Sequence, residues 1–386
     1  MAHDIVIVGG GIIGSACAFF MARAGLDVAL VDQGPLAGGT TANSFAWANA
    51  SSKTTDRDYH ALNMAGVAGY RALEQEFGTG AIGLNATGAL YLATPDDAAG
   101  LRDLDRQQAA LDGFGQPVER LDAAALAAQE PGLTLAAGTT ALLAPGDLCV
   151  NAPHFARFMA ARAADLGALI RENARSFELL LDDAGTIGGV RTADGPIAAP
   201  AVLLATGPDT PQTLAALTGF DGFATRFPLR RAPGLLLTTP PLAPAELPRH
   251  VINTSLSREF HLLPEFNGGV KLGSDDVDGM IVQDRAPDTL RRAGQKLLER
   301  GGELMPALAR VDVTDCQLGV GIRPMPEDGK TIFGAVPGAD GLYLIATHSG
   351  VTLAPVLGRA MVALMTGKPM QPDMGGYWLG RFPGFA

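Results

Sequence analysis

The sequence predicts an α/β protein in which a doubly wound sheet is joined to a second, α+β domain built on an antiparallel sheet. Strand-like apolar runs alternate with helix-like segments near both ends of the chain, as in a sheet covered by helices on both faces. The middle of the chain instead holds short strands separated by tight turns, as in antiparallel sheets. A chain of 386 residues is also long enough for two domains.

Near the amino terminus, a strand, a glycine-rich turn and a helix follow one another. Ile5–Val8 is a continuous β-branched run, which predicts a strand buried on both faces. Gly9, Gly11 and Gly14 follow in the spacing G-X-G-X-X-G, and a helix is predicted over Ile12–Ala22. The first glycine permits the turn, the second lets the backbone approach a pyrophosphate, and the third lets helix and strand pack closely. We expect a dinucleotide with its pyrophosphate at the helix N-terminus.

The next predicted strand, Val28–Val31, ends at the acidic residue Asp32. This carboxylate lies close to the roughly 20-residue spacing at which an acid meets the adenosine ribose. It would accept hydrogen bonds from both vicinal hydroxyls and repel a 2′-phosphate. Glycine-rich turns also occur in unrelated α/β units, but the complete series of strand, turn, helix, strand and acid favours a dinucleotide site.

The middle of the chain alternates between the two predicted domains. Ala89–Ala93 and Leu235–Thr239 are predicted strands, Arg258–Gly273 is predicted to form a hairpin that turns at Asn267–Gly269, and Asn151–Gly167 is a predicted helix. The chain is therefore expected to leave the nucleotide-binding domain and return to it twice. The predicted nucleotide-binding domain comprises residues 1–84, 146–217 and 330–386, and the predicted substrate-binding domain comprises residues 85–145 and 218–329.

A further motif lies near the carboxyl terminus. A predicted strand, Gly341–Ala346, runs into the turn Thr347–Gly350, and a helix is predicted to begin near Thr352 with Pro355 in its first turn. The N-terminus of a helix stabilises negative charge. Such charge develops at the N1–C2 carbonyl edge of a reduced flavin. The turn is therefore expected to face an isoalloxazine ring.

Arg323 belongs to a Gly-X-Gly-X-Arg-Pro motif that begins at Gly319. Pro324 biases the arginine toward an extended backbone, and Gly319 and Gly321 are expected to keep its surroundings free of bulky side chains. A guanidinium held in this way can bind a carboxylate through two parallel hydrogen bonds. An ordinary surface ion pair is the alternative, and spacing alone favours that alternative.

Together these segments resemble the D-amino-acid oxidase family of flavoproteins, which includes glycine oxidase, sarcosine oxidase and D-amino-acid dehydrogenases. The matching segments are Asp4–Asp32, Gly38–Asn49, Ala205–Gly207, Gly319–Gly334 and Leu342–Gly358. The resemblance implies a discontinuous, Rossmann-type FAD-binding domain and a substrate domain with a large antiparallel sheet. It also implies that Arg323 binds the substrate carboxylate and that residues 347–352 contact the flavin.

The resemblance supplies the remaining site assignments. The expected FAD-binding residues are Gly9, Gly11, Ile12, Ile13, Gly14, Asp32, Gln33, Gly39, Thr40, Thr41, Asn43, Ser44, Ala46, Trp47, Ala205, Thr206, Gly207, Arg323, His348, Ser349, Gly350, Val351 and Thr352. Hydroxyl groups of the loop over residues 38–44 are expected to donate to the pyrophosphate.

Among the side chains expected at the reaction centre, Lys271 resembles a sarcosine-oxidase lysine that assists oxygen reduction near flavin N5. His348 is the third catalytic candidate beside Lys271 and Arg323, and it could act by its backbone as much as by its side chain. Trp47, His261 and His60 are candidates for the substrate pocket. Core packing for Trp47, a solvated strand position for Lys271 and a structural role for His261 are the alternatives.

Some members of the family attach flavin covalently, through a histidine in the second cofactor loop or a cysteine near the C-terminal site. The sequence has no histidine between Gly34 and Tyr59, and Cys316 does not match the cysteine motif. We therefore expect non-covalent FAD. No cluster has metal-ligand spacing, so no metal is expected.

Composition narrows the classes of partner and location. The formal net charge is −11, which argues against nucleic acid and anionic membranes as partners. Cys17, Cys149 and Cys316 form no disulfide framework, and neither a secretory signal nor an apolar run of membrane-spanning length is evident. A cytoplasmic protein is expected, either alone or as a homo- or hetero-oligomer.

The expected reaction is oxidation of the C–N bond of a small amino acid or secondary amine, with hydride transfer to FAD and reoxidation by O2. A dehydrogenase that passes electrons to a quinone or partner protein is one alternative. A non-catalytic flavoprotein subunit of a larger complex is another. An NAD-dependent dehydrogenase would use only the first motif, and the C-terminal motifs argue against it.

Overall fold

The computed structural model describes residues 2–175, 177–181, 186–215, 221–254 and 260–385. Within them the strands are β1 (Ile5–Val8), β2 (Val28–Val31), β3 (Trp47–Ala48), β4 (Leu84–Asn85), β5 (Ala89–Ala93), β6 (Glu119–Leu121), β7 (Thr140–Ala144), β8 (Leu148–Val150), β9 (Leu169–Arg171), β10 (Phe177–Leu181), β11 (Ile187–Thr192), β12 (Gly195–Ala198), β13 (Val202–Leu204), β14 (Leu229–Thr238), β15 (Val251–Thr254), β16 (Phe260–Pro264), β17 (Val270–Ser274), β18 (Gln317–Pro326), β19 (Ile332–Ala335) and β20 (Leu342–Ala346). The α-helices of these residues are α1 (Ile12–Arg23), α2 (Arg57–Phe77), α3 (Thr79–Ile82), α4 (Ala98–Phe114), α5 (Ala123–Gln129), α6 (Ala152–Asp165), α7 (Thr210–Ala215), α8 (Asp221–Arg226), α9 (Asp275–Met280), α10 (Pro287–Leu304) and α11 (Gly350–Met365).

One sheet has the strand order β19–β20–β13–β1–β2–β9, and all its pairs are parallel except β19 with β20. Ile5 and Ile7 of β1 pack against a core formed with α1, α6 and α11. Val6 and Val8 pack on the other face, against the small antiparallel sheet β10–β11–β12. Both faces of β1 are therefore covered, which explains its unbroken apolar run and confirms the predicted strand.

The helix α1 is buried nearly all round because it lies between this sheet and α11. A Cβ atom added at Gly358 of α11 would lie 2.6 Å from the Phe20 ring and 3.1 Å from the Ala16 carbonyl oxygen. Glycine at this position thus lets the two helices approach closely. The predicted helix is confirmed with one further residue, Arg23, and Gly25 follows it with a φ of +90°.

The helix α11 begins at Gly350 rather than near Thr352, so Pro355 lies in its second turn and not its first. Proline lacks the N–H that would bond the Val351 carbonyl one turn earlier. The hydroxyl of the buried Tyr70 donates to that carbonyl instead, at 2.7 Å. This tertiary hydrogen bond is the physical reason why the proline is tolerated inside the helix.

We expect Tyr70→Phe to destabilise the protein by about 1 kcal/mol, because it leaves the half-buried Val351 carbonyl without its donor. The thermal midpoint of the purified protein would report this loss. Tyr343→Phe is the matched control, since its hydroxyl has no hydrogen bond among the described residues. An unchanged midpoint for Tyr70→Phe would contradict the assignment.

A larger sheet among the described residues has the order β18–β14–β17–β16–β15–β5–β7–β6 and is antiparallel except between β15 and β5. One face packs on α10 through side chains such as Leu237, Leu272 and Leu297. On the opposite face Asn253 pairs with His261, which pairs with Gly273 on the next strand. This second face becomes part of the cavity described below.

Two predictions for this sheet can be compared with the structure. The hairpin β16–β17 is confirmed, with Gly269 N donating to the Asn267 side chain at 2.7 Å, although Arg258 lies outside the described residues. The strand predicted over Leu235–Thr239 is longer and covers β14, including Pro233. Proline is tolerated there because β17 pairs with β14 only at Leu237 and Thr238, so β14 has one neighbour at Pro233.

The predicted helix over Asn151–Gly167 is confirmed as α6, and the Asn151 side chain caps it by accepting from His154 N at 3.2 Å. The two large sheets draw their strands from different parts of the chain. The parallel sheet uses segments at both ends together with 169–171 and 202–204, whereas the antiparallel sheet uses segments within 89–144 and 229–326. The domain boundaries given above stay a prediction.

Candidate active site

A single cavity of about 840 Å³ is lined by the predicted motifs from both ends of the chain. Its wall contains the glycine-rich turn, the loop over residues 38–47, the end of β13, the motif around Arg323 and the turn before α11. Each predicted FAD-binding residue lines this cavity except Gly14. Of the other predicted residues, His261 lines it, but His60 and Lys271 do not.

The glycines of the first turn have different steric roles. Gly9 has a φ of +106°, and a Cβ atom there would lie 2.5 Å from the Ala205 carbonyl oxygen. A Cβ atom at Gly14 would overlap the carbonyl oxygen of Gly9. Gly14 therefore brings α1 against the turn, which is the helix–strand packing predicted for it, and it has no place in the cavity wall.

Asp32 holds the glycine-rich turn as well as facing the cavity. Its Oδ2 accepts from Gly10 N at 2.7 Å and its Oδ1 from Gly34 N at 2.8 Å. Burial raises the pKa of this carboxyl, and the two backbone donors lower it. Each oxygen retains a lone pair for a ribose hydroxyl, so the carboxylate fits the role predicted for it.

The hydroxyl groups of the loop over residues 38–44 are bonded differently from the expectation that they donate to the pyrophosphate. The Thr40 hydroxyl donates to the Ile322 carbonyl of β18 at 2.7 Å, and the Ser44 hydroxyl donates to the Thr41 carbonyl at 3.0 Å. The Thr41 hydroxyl accepts from Ile12 N at 3.0 Å. Thr40 and Ser44 therefore use their hydroxyl hydrogens to hold the loop, and only Thr41 keeps its hydrogen for a pyrophosphate oxygen.

Gly319 and Gly321 also have a role that differs from the one expected. Cβ atoms at these positions would overlap Asn43, at its side-chain oxygen and its backbone carbonyl respectively. The glycines of β18 therefore let the loop over residues 38–44 pack closely against this strand. The open space beside Arg323 comes instead from Gly234, where a Cβ atom would lie 3.3 Å from the guanidinium carbon.

Arg323 lines the cavity together with two carboxylates, Asp275 and Asp278. Its Nη2 donates to Asp278 Oδ2 at 2.7 Å and to the Pro233 carbonyl at 3.3 Å, and its Nη1 lies 3.8 Å from Asp275 Oδ1. Among the described residues its Nε has no hydrogen-bond partner. The guanidinium is thus fixed on one side and keeps bonding capacity for a ligand.

Asp278 was not predicted, although an acidic run directly after β17 was the available signal. Its other oxygen accepts from Leu235 N at 2.7 Å. Burial raises the pKa of Asp278 to about 6, while the Arg323 charge and the Leu235 N–H lower it. Asp278 is therefore ionised at neutral pH and partly neutralises the arginine.

We expect the affinity for a carboxylate ligand to rise as the pH falls through the Asp278 pKa of about 6. Above that pH the Asp278 charge opposes the ligand charge, and below it the protonated carboxyl does not. The gain should be several-fold, or about 1 kcal/mol. The affinity at each pH is measured by following flavin absorbance while a carboxylate that stays ionised over this pH range is added. In Asp278→Asn the tight affinity should persist at neutral pH, and an unaltered pH profile in that variant would contradict the assignment.

The two histidines of the cavity wall are neutral at neutral pH. The ring of His261 lies edge-on to Phe45 at 4.6 Å, and burial lowers its pKa to about 4. His348 is accessible from the cavity. Desolvation by the surrounding protein, together with the positive charges of Lys53 and Arg323, lowers the pKa of His348 to about 4. Both rings can therefore donate and accept hydrogen bonds without carrying charge.

His60 and Lys271 lie outside the cavity wall. The ring of His60 contacts Phe114 at 4.9 Å, and its Nδ1 bonds the Ala50 carbonyl at 3.1 Å. His60 is therefore a structural residue and not part of the pocket. Lys271 pairs with Glu265 at 2.6 Å and donates to the Ser44 carbonyl at 3.3 Å, so it lies one residue away from the cavity.

A buried network fixes the cavity wall at Trp47. Asp147 Oδ2 accepts from the Trp47 ring N–H at 3.1 Å and from the Ser51 hydroxyl at 2.5 Å, and Ser51 bonds the Tyr91 hydroxyl at 2.7 Å. Burial raises the pKa of Asp147 to about 7, and these donors lower it. Trp47 thus lines the cavity and is also anchored in the protein. No local sequence pattern marked Asp147.

These features meet the requirements of a dinucleotide cofactor. The turn at the N-terminus of α1 is open to the cavity, a carboxylate stands where a ribose is expected, and the N-terminus of α11 faces the same space. Within the described ranges, no group of three or more His, Cys, Asp or Glu could hold a metal ion. No described helix is long and apolar enough to cross a membrane.

Comparison with known proteins agrees with this geometry. The family model described as FAD dependent oxidoreductase (DAO) matches residues 4–364. Glycine oxidase of Geobacillus kaustophilus is 29% identical over 396 aligned residues, covering 99% of this chain and 98% of that protein. The crystal structure of glycine oxidase from the same organism superposes with a TM-score of 0.82 at 26% identity, covering 99% of this chain and 100% of the other.

A second solved structure, iminodiacetate oxidase from Chelativorans sp. BNC1, has a TM-score of 0.79 at 26% identity and covers 97% of this chain and 98% of its own. D-amino acid dehydrogenase of Paramagnetospirillum magneticum is 29% identical over 66% of this chain and 58% of its own length. Because the family model covers most of the chain and the cavity carries the motifs of both ends, the protein belongs to the DAO family of FAD-dependent oxidoreductases.

Proposed function

We propose that this FAD-dependent enzyme oxidises the C–N bond of a small amino acid or secondary amine and that O2 is the final electron acceptor. The observation that carries the proposal is the shared cavity wall, in which Arg323 and His261 accompany the turn at His348. A guanidinium in the same cavity as the flavin-facing turn suits a substrate that carries both an amine and a carboxylate.

The names of similar proteins support the same substrate class. Glycine oxidase and iminodiacetate oxidase are similar to the chain over nearly its whole length. Glycine and iminodiacetate are both small amines that bear a carboxylate. With identities of 29% and 26%, these relatives support a substrate of this class, and the cavity residues support its carboxylate.

The residues of the cavity suggest how such a substrate is held. FAD held in this cavity would supply the acceptor for a hydride from the carbon that bears the amine. Arg323 binds the substrate carboxylate, and Asp278 fixes the guanidinium from the other side. The neutral His261 ring can accept a hydrogen bond from the amine. No dedicated base is required if the amine binds in its neutral form, because positioning then suffices.

The products follow from the balance of the reaction. The amine, O2 and water give a keto acid or aldehyde, the released amine or ammonia, and H2O2. To test this, the FAD-loaded protein would be mixed with D-, L- and N-alkyl amino acids in air, and H2O2 and carbonyl product would be measured. We expect equal amounts of the two. Turnover with a dye or quinone but without H2O2 would support the dehydrogenase, and no turnover with any amine would support the non-catalytic subunit.

One observation favours the dehydrogenase alternative, namely the ion pair of Lys271 with Glu265. A paired lysine presents little net charge to an oxygen species at the flavin. Its ammonium nevertheless contacts the carbonyl of Ser44, which lines the cavity. We retain Lys271 in the proposal as the residue that assists the reaction with O2 from behind the loop.

Two substitutions with opposite expected effects test this role. Lys271→Met should slow the return of flavin absorbance in air by roughly tenfold or more, because a cation is lost. Glu265→Gln should keep the lysine, remove its counter-charge and speed the same step. Stopped-flow mixing of the reduced enzyme with O2 measures both rates. Equal rates in the wild type and both variants would remove Lys271 from the reaction with O2.

A further inference from the structure

Lys53 lies in the cavity wall, and the proposed function gives it no role. Among the other lysines, Lys271, Lys296 and Lys330 each form an ion pair with a carboxylate, and Lys368 is exposed at the surface. Lys53 forms no ion pair or side-chain hydrogen bond with the residues that the structure describes. Lys53 is therefore a half-buried cation that lines the cavity without an ion partner among the described residues.

The negative charge of Asp147 acts on Lys53, but this carboxylate already accepts hydrogen bonds from other groups. It accepts from the Trp47 ring, the Ser51 hydroxyl and the backbone N–H groups of Ala50 and Ser51. Burial lowers the pKa of Lys53, and Asp147 raises it only through its charge at a distance. Taking an ammonium partly out of water without an ion partner is unfavourable. The missing partner is most simply an anion that enters the cavity.

Lys53 and Arg323 act on the same part of the cavity from different elements. Lys53 belongs to the segment between β3 and α2, whereas Arg323 belongs to β18. The charges of both reach His348, on the turn before α11. Asp278 partly neutralises Arg323, whereas no carboxylate of the described residues is paired with Lys53. The cavity is therefore bordered by two cations, and the second, Lys53, has no ion-paired carboxylate among the described residues.

We propose that Lys53 is a second anion-binding residue of the active site and that the substrate is a dicarboxylic amino or imino acid, with one carboxylate on Arg323 and the other on Lys53. This proposal rests on the proposed function, because it assigns the substrate to the same site. The pyrophosphate of FAD is expected elsewhere, at the N-terminus of α1. Lys53 is thus free to select among substrates rather than to hold the phosphate.

The test measures how tightly non-reacting acids bind to the FAD-loaded protein. Flavin absorbance and the thermal midpoint are the two readouts. Malonate, succinate and glutarate would be compared with propionate, butyrate and pentanoate. We expect the best dicarboxylate to bind roughly tenfold or more tightly than the monocarboxylate of equal length. Lys53→Met should abolish this preference, Lys53→Arg should keep part of it, and Lys368→Met should behave as the wild type.

Other results would overturn the proposal. Equal binding of both kinds of acid to the wild type, or an equal preference in the wild type and Lys53→Met, would do so. A weaker FAD affinity of Lys53→Met with an unchanged acid preference would assign the lysine to the cofactor instead. Binding needs no turnover, so a dicarboxylate preference without oxidation of any amine would retain the anion site and reject the proposed function.

Discussion

Gly14→Ala is expected to abolish FAD binding. The added methyl group would overlap the carbonyl oxygen of Gly9, and both groups belong to the backbone framework of the first turn. Neither can move aside as a flexible side chain could, so α1 must shift away from β1 and the cofactor turn must deform. We expect less than about a tenth of the wild-type FAD per chain, together with a lower thermal midpoint.

The matched control is Gly113→Ala, which also places a methyl group inside a helix. Gly113 belongs to α4, and nothing lies within 4 Å of an added Cβ atom there. This variant should bind FAD as the wild type does and be slightly more stable, since alanine favours the helix. The ratio of flavin to protein absorbance after gel filtration compares the two variants. Full FAD content in Gly14→Ala would contradict the packing described for the turn.

Arg323→Met is expected to raise the Michaelis constant for a carboxylate-bearing substrate by about tenfold to a hundredfold. The estimate corresponds to the loss of charge-assisted hydrogen bonds of about 1.5–3 kcal/mol. FAD content should be retained, because Arg323 belongs to β18, whereas the glycine-rich turn is held by Asp32 and by the close packing at Gly14. Steady-state kinetics on the first amino acid found to be oxidised supplies the measurement.

Removal of Arg323 also leaves the carboxylate of Asp278 without its ion partner, which by itself could disturb the cavity. The pair Arg323→Met with Asp278→Asn removes that effect and should show the same rise in Michaelis constant. Arg323→Lys should recover only part of the affinity, because an ammonium cannot make two parallel hydrogen bonds. A Michaelis constant unchanged in all three variants would remove Arg323 from substrate binding.

The parts of the fold predicted from sequence are those with a local signal. Each such signal depends on residues that are neighbours in the chain. Examples are the apolar run of β1, the spacing of Gly9 and Gly14, and the turn at Asn267. The predicted cofactor residues line one cavity for the same reason, since each belongs to a short contiguous motif. Only Gly14 differs, because its role is packing rather than contact with the cavity.

The parts missed are pairings between distant segments. The partner of Arg323 is Asp278, on another element, and no spacing rule connects them. The network of Asp147 with Trp47 likewise joins residues 100 positions apart. The hydrogen bond from Tyr70 to Val351 crosses 281 positions and overrides the usual preference of proline for a first turn.

Resemblance to a family placed motifs correctly but did not fix individual side chains. His60 lies at a position that suggested the pocket, yet its ring is packed on Phe114 away from the cavity wall. Lys271 is engaged by Glu265, a partner that the motif does not include. Lys53 belongs to no motif considered in the sequence, and its position in the cavity wall became evident only from the fold.

An amine and FAD are proposed to meet in this one cavity, and anaerobic reduction of the flavin tests this meeting most directly. The visible spectrum of the purified, FAD-loaded protein would be recorded without oxygen while D-, L- and N-alkyl amino acids, including dicarboxylic ones, are added in turn. We predict that the flavin bands bleach with at least one of these compounds and return when air is admitted. Flavin bands that persist with every compound, in a protein with full FAD content, would contradict the account.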